Sequence, residues 1–244
     1  MLNKFDAEKG VILLGCSSDI GLEILRQLKP SPGCQLFLLG RDPHAKLDIS
    51  WPHGKVKRIT CDLENSRSTS RALSRLRKIG EFDLAIIAAG YLPKECQDSN
   101  LLDVQKTLRI NGEGVILFLS VLTQELSDRN GGRILLLSSV AAIRPRVRNF
   151  TYGASKSAAD FFAIGLASKY RSSNVKIKIM RPGFVFTKMT KNFQPAPFAM
   201  KTQEVSRIAI KALNSKNSVV YAPRALKVIM NFLRILPRKF FDAL

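Results

Sequence analysis

Histidine and acid are the scarce residues of this 244-residue chain. There are two histidines, and 19 Asp and Glu stand against 39 Lys and Arg, a formal charge of +20. Four cysteines, at positions 16, 34, 61 and 96, form no C-x-x-C pair and have no histidine at ligand-like spacing. That excludes a zinc site or redox pair of ordinary pattern and predicts reduced, mostly buried thiols. Met1 to Gly10 alternates charged and apolar residues and lacks the apolar core of a secretory signal, so a cytoplasmic location is expected. No repeat, low-complexity tract or flexible linker divides the chain, and with 45% hydrophobic residues it can fill one full core.

The shortage of acid is local. Residues 1–132 carry a formal +2, residues 133–244 +18, so the second half is expected to meet an anionic partner. Nucleic acid, anionic lipid and a phosphorylated substrate are the candidates. No aromatic-interleaved basic surface or recognition-helix pattern supports nucleic acid.

Short apolar runs recur along the chain: Gly10–Gly15, Gln35–Gly40, Val56–Cys61, Leu84–Ala89, Ile134–Leu137, Val175–Met180 and Val219–Ala222. Helical patterns separate most of them, as where Ile20, Leu22, Ile24, Leu25 and Leu28 keep a helical period before Pro30. Runs buried on both faces and joined by helices predict an α/β fold, a single Rossmann-type doubly wound parallel sheet of about seven strands with helices on both faces. We read residues 1–223 as the main domain, with a lid at about 188–200, and residues 224–244 as a basic extension of it.

Between the first strand and its helix lies Leu14-Gly15-Cys16-Ser17-Ser18-Asp19-Ile20-Gly21. A dinucleotide site needs this arrangement: a glycine for the tight turn, small residues where backbone amides approach a pyrophosphate, and a helix N-terminus carrying partial positive charge. Farther on, Tyr152 and Lys156 stand four residues apart on one predicted helix face, and Ser139 lies thirteen residues before Tyr152. A phenol with an ordinary pKa of about 10 transfers protons poorly at neutral pH unless a cation stabilises its anion, and Lys156 is placed to supply one.

These segments resemble the short-chain dehydrogenase/reductase family over about residues 10–222. The first turn is similar to T-G-x-x-x-G-x-G, with Leu14 for the threonine and Asp19 for the central glycine. Tyr152 to Lys156 matches Y-x-x-x-K, Asn111 to Gly114 matches N-x-x-G, and Ala88-Ala89-Gly90 stands where N-A-G is usual. The resemblance implies catalysis by Ser139, Tyr152 and Lys156, with Asn111 holding a water that relays protons through Lys156. It implies nicotinamide binding by Gly15, Ser17, Ser18, Ile20, Gly21, Asp62, Leu63, Ala89, Gly90, Tyr152, Lys156, Pro182, Gly183 and Thr187. Arg41, just after the second strand, leans towards NADPH, while the adjacent Asp42 keeps NADH open.

Two basic segments remain. Arg144, Arg146 and Arg148, between Ser139 and Tyr152, can grip a phosphate or diphosphate, or pair with acids of a neighbouring subunit. From Arg224 to Phe241, Lys227, Asn231, Arg234 and Arg238 repeat at helical spacing among large apolar residues. The helix expected over Ala225 to Leu236 is too short for the roughly 20 residues of a membrane span, so it either lies on an anionic membrane surface or closes the core. With these segments the chain resembles the decaprenylphosphoryl-2-keto-ribose reductases of actinobacterial arabinan synthesis. That resemblance implies a polyprenyl-phosphoryl keto-sugar substrate, a separate oxidase making the 2-keto intermediate, and peripheral membrane association, with the membrane face and any homo-oligomer left open. Reduction of another lipid ketone, or a non-enzymatic dinucleotide sensor, are the competing readings.

Overall fold

The computed structural model describes residues 7–45, 47, 49–78, 80–93, 100–235 and 237. Cys96, Arg238 and the first six and last seven residues therefore lie outside the described residues. Seven parallel strands form one sheet: β1 (Gly10–Leu14), β2 (Gln35–Gly40), β3 (Val56–Thr60), β4 (Leu84–Ile87), β5 (Gly132–Leu137), β6 (Val175–Pro182) and a last strand, Val219–Ala222. The spatial order is β3-β2-β1-β4-β5-β6 followed by the last strand. All seven expected runs are strands, with ends shifted by two residues or fewer.

An unbroken apolar run suits a strand covered on both faces, and alternation sorts its side chains between two cores. In β1, Ile12 and Leu14 join one cluster with Phe37, Ile87, Phe118 and Leu136, whereas Val11 and Leu13 join another with Leu38, Ile86 and Leu135. Helices α2 (Ser66–Leu76), α3 (Leu101–Leu108), α4 (Val115–Asp128) and α5 (Phe150–Lys169) carry the first layer's residues or lie beside them. On the opposite face lie α1 (Asp19–Gln27) and α6 (Thr202–Leu213). β3 is one edge strand, with exposed or half-buried residues including Lys57 and Arg58 at four of its five positions, a pattern that discourages pairing with another sheet.

Two features were invisible in the sequence pattern. A π-turn, Arg109–Gly114, joins α3 to α4, and a two-residue parallel ladder pairs β7 (Val185–Phe186) with β8 (Met200–Lys201). The ladder closes the base of the expected lid. The last strand of the main sheet is thus β9, and α7 (Ala225–Ile235) follows it.

Helix α7 settles as a core-closing element on one side. Leu226 and Met230 are buried in a small cluster with Val140 and Tyr221, and Ile229 and Leu233 pack against it. Its other side faces out, with Val228, Phe232 and Ile235 exposed at 73%, 59% and 78%. No described helix is long and apolar enough to cross a membrane.

Candidate active site

Strand order reverses direction between β1 and β4, and the segments leaving the carboxyl ends of the strands converge there. Such a switch point is where open α/β sheets take their ligands. Gly15 leaves β1 with φ +88°, and a Cβ there would stand 2.6 Å from the Ala89 nitrogen. A Cβ on Gly21 would meet Leu13 Cδ1 at 2.8 Å and Ala88 Cβ at 3.0 Å. Both positions therefore require glycine, one for backbone conformation and close approach, the other for seating α1 on the sheet. Ser18 caps α1 by accepting from the Gly21 N–H at 3.2 Å, while Ser17 is exposed and Ile20 half-buried at the same helix end.

Asp19 is disposed of by a partner that the sequence did not reveal. Its carboxylate accepts from the Lys188 backbone N–H at 2.7 Å and pairs with the Lys188 ammonium at 3.4 Å. The acid at the helix N-terminus is thus neutralised by a residue just past Thr187, and the turn retains the backbone cradle that a pyrophosphate needs. Thr187 itself is held by Thr190, whose hydroxyl accepts from the Thr187 N–H at 3.1 Å.

Arg41, Asp42, Asp62 and Leu63 are the residues expected on the adenosine side. Asp62 and Leu63 line a cleft of about 640 Å³ with Thr69, Arg109, Glu113 and Leu117. The Asp62 N–H donates to Ser68 Oγ at 3.0 Å, and its carboxylate accepts from the Glu64 N–H at 3.0 Å. Arg41 is exposed after β2, whereas the Asp42 carboxylate accepts from the Ala45 N–H at 3.0 Å and caps its own loop. The residues present therefore fit a nicotinamide dinucleotide.

The expected reacting group assembles at the ends of β4 and β5 and on α5. Ser139 follows β5, its hydroxyl accepting from the Ala141 N–H at 3.1 Å. Tyr152 and Ser139 are hydrogen-bonded, an interaction that lowers the phenol pKa, yet burial raises it more and leaves it at about 12. Lys156, buried in the fold, donates to the carbonyls of Leu137 at 3.3 Å and Ala89 at 3.4 Å. Burial brings its pKa down to about 8, with Asp160 acting in the opposite direction.

Lys156 Nζ stands over the Tyr152 ring, 5.9 Å from its centroid. The two carbonyls draw it towards the β4 and β5 ends, and Ser139 tempers Tyr152. A phenol at about 12 holds its proton at neutral pH but is a weaker acid than a free tyrosine, so giving that proton up requires positive charge nearby.

Asn111 lies on the π-turn with no exposed surface, and its side chain is fully committed. Its Oδ1 accepts from the Tyr91 N–H at 2.7 Å, and its Nδ2 donates to the Tyr91 carbonyl at 2.8 Å and to Ser155 Oγ at 3.0 Å. The side chain therefore fastens the Ala89-Gly90-Tyr91 loop to α5. A Cβ on Gly90 would come within 3.3 Å of Lys156 Nζ and 3.5 Å of Asn111 Oδ1, with Met189 Cε 3.7 Å away, so the lid reaches the same corner.

On the nicotinamide side, the Gly183 N–H donates to the Ala222 carbonyl at 2.9 Å, next to buried Pro182. A Cβ on Gly183 would strike Leu226 Cδ1 at 2.7 Å, so α7 packs directly on this turn. Two of the three candidate phosphate arginines also engage α7. Arg144 donates to the Leu233 carbonyl in its last turn, where helix carbonyls lack internal donors, and Arg146 reaches Met230 Sδ at 3.9 Å. Arg148 is exposed.

A glycine-lined dinucleotide cradle with a serine, tyrosine and lysine at its mouth defines a nicotinamide-dependent oxidoreductase. Comparison with known proteins makes the class specific. The short chain dehydrogenase family model matches residues 9–197. An uncharacterized oxidoreductase of Mycobacterium tuberculosis is 30% identical over 237 residues, covering 93% of this chain and 94% of that protein. Retinol dehydrogenase 8 of Bos taurus is 29% identical over 190 residues, 75% of this chain and 61% of that protein. A short chain dehydrogenase of Burkholderia cenocepacia, solved in complex with NADP, superposes with a TM-score of 0.76 at 19% identity, over 94% of this chain and 98% of that one. The chain belongs to the short-chain dehydrogenase family.

Proposed function

We propose that this oxidoreductase uses NADPH to reduce a ketone carried by a membrane lipid. The ketone is the 2-keto group of a polyprenyl-phosphoryl 2-keto-pentose, which a separate oxidase supplies and whose reduction yields decaprenylphosphoryl arabinose for cell-wall arabinan. The observation that carries the reading is the placement of α7. Its inner face rests on Gly183 of the nicotinamide-side turn through Leu226, while Val228, Phe232 and Ile235 face out beside Lys227 and Arg234.

An exposed apolar strip flanked by cations suits an anionic membrane surface, since apolar burial and headgroup attraction act together. Acids that would oppose this are few. Of the three beyond residue 132, Asp160 is buried in an ion pair and Glu204 caps α6, while Asp242 lies outside the described residues. The lipid chain stays in the bilayer along α7, the phosphodiester meets exposed Arg148, and only the sugar enters under the lid near Phe193 to Met200.

In the reducing direction, bound NADPH supplies hydride. Tyr152 gives its proton to the carbonyl oxygen, Ser139 orients that oxygen by a hydrogen bond, and Lys156 holds positive charge beneath both as negative charge develops. Arg41 supports NADPH because it is free to face a 2′-phosphate, whereas Asp42, which would favour NADH, is occupied in its own loop.

A second reading is favoured by the engagement of Arg144 and Arg146 with α7, which leaves fewer cations for a phosphodiester. An uncharged lipid ketone then becomes the substrate, a chemistry closer to that in the name of retinol dehydrogenase 8. One assay separates the two. Purified protein is given NADH or NADPH with polyprenyl-phosphoryl 2-keto-pentose in anionic vesicles, or with a neutral lipid ketone, alongside Tyr152→Phe. Turnover of the phosphorylated substrate that depends on Tyr152 and falls in Arg148→Gln supports the first reading. Turnover confined to the neutral ketone supports the second, and NADPH binding without turnover of either would refute both.

A further inference from the structure

The reacting group rests on a buried ionic cluster that the family motifs leave unassigned. Asp160 stands on α5 one turn beyond Lys156 and is only 4% exposed. Its carboxylate takes two hydrogen bonds from Arg181, at 2.5 Å to Nη2 and 3.0 Å to Nε, and one from Ser138 Oγ at 2.5 Å. Arg181 Nη1 in turn donates to the Tyr221 hydroxyl at 2.8 Å. Each partner belongs to a different working part. Ser138 adjoins Ser139 at the end of β5, Arg181 begins the Arg181-Pro182-Gly183 turn, Tyr221 lies on β9 under α7, and Asp160 shares a helix with Tyr152 and Lys156.

We propose that Asp160 is a positioning residue: through Ser138 and Arg181 it locks the serine, the Tyr–Lys helix and the nicotinamide-side turn into one register. A single fork-to-fork pair fixes both distance and orientation, which a neutral contact would not. Truncating one partner of a buried charged network leaves the other charge uncompensated, so the cluster is sensitive to single changes.

Among the described residues, the groups around Lys156 are mostly neutral. β4 and β5 present the carbonyls of Ala89 and Leu137, the π-turn presents the amide of Asn111, and the lid presents the thioether of Met189. From α5 itself come Tyr152, neutral at physiological pH, and Asp160, while Arg181 from β6 is already paired with Asp160. Among the described residues Asp160 is a charged group that acts on the lysine, raising its pKa against the effect of burial.

This inference rests on Lys156 belonging to the reacting group, but its test does not need the substrate. The full-length protein is labelled with ¹³Cε-lysine, the Lys156 signal assigned with Lys156→Arg, and the signal titrated with and without Asp160→Asn. The variant is expected to titrate lower, because the carboxylate is lost and the Arg181 charge is left unpaired, and to bind NADPH several-fold more weakly. Folded Asp160→Asn with an unmoved Lys156 titration and wild-type NADPH affinity would overturn the proposal, even if its melting temperature fell. Should that variant not fold, Ser138→Ala and Tyr221→Phe remove single hydrogen bonds and no charge. Weaker NADPH binding in both supports the lock, and wild-type affinity in both refutes it. If no ketone is reduced by the wild-type protein, the functional reading fails while these titrations still decide the role of Asp160.

Discussion

Replacing Asn111 by alanine tests whether a motif residue acts here as a structural fastening. The side chain is completely buried and makes three hydrogen bonds, two to the backbone of Tyr91 and one to Ser155 Oγ. Ser155 keeps a second partner, since its hydroxyl also donates to the Tyr152 carbonyl at 2.7 Å, so its loss is the smallest of the three. The Tyr91 N–H and carbonyl have no replacement unless water enters the space left behind. A lost bond that strands a partly buried group costs about 1–3 kcal/mol, and with water entry holding each towards the lower end the total comes to about 3 kcal/mol. For a chain of this length that lowers Tm by about 6–12 °C. Urea denaturation and calorimetry measure the change. NADPH titration should show weaker binding too, because the freed loop carries Ala89 and Gly90. A destabilisation below about 1 kcal/mol with unchanged NADPH affinity would refute the claim that this side chain fastens the loop.

Further outcomes follow from the same geometry. Tyr152→Phe removes the proton donor while leaving the ring in place, so turnover should fall by about a thousandfold, in the range of lost general acid catalysis, with NADPH affinity kept within about twofold. Lys156 carries its charge below its pKa and loses it above, so reduction rates measured across pH 6–10 should decline as pH rises through about 8; a rate flat to pH 10 would remove the ammonium from the mechanism. Gly15→Ala forces a side chain onto a backbone at φ +88° and within 2.6 Å of the Ala89 nitrogen, so soluble yield and NADPH binding should both collapse. Phe232→Glu, on the exposed side of α7, should abolish sedimentation with anionic vesicles and leave Tm nearly unchanged, because it disturbs no core contact.

The amino-acid sequence alone determined the sheet. Apolar runs such as Gly10–Leu14 and Leu84–Ile87 have no polar face, so they had to be covered on both sides, and the helices between them forced parallel order. It also offered the candidate reacting group, because Ser139, Tyr152 and Lys156 sit at fixed spacings on a strand end and one helix. Tertiary structure decided what depends on partners distant in the chain. Asp19 read as an acid in an anion site until Lys188, 169 residues on, was found to hold it. Arg144 and Arg146 read as candidates for a phosphate or for acids of a neighbouring subunit, and the fold sets them against the Leu233 carbonyl and the Met230 sulfur of α7. Helix α7 itself read as either lipid-facing or core-closing, and packing buries one of its faces in the core while the other stays exposed. Asp160 passed unnoticed, since a lone acid on a helix carries no signal until Arg181 and Ser138 close around it from other strands. Periodicity and spacing record what is near along the chain, whereas the pairing of charges is set by which strand ends the fold brings together.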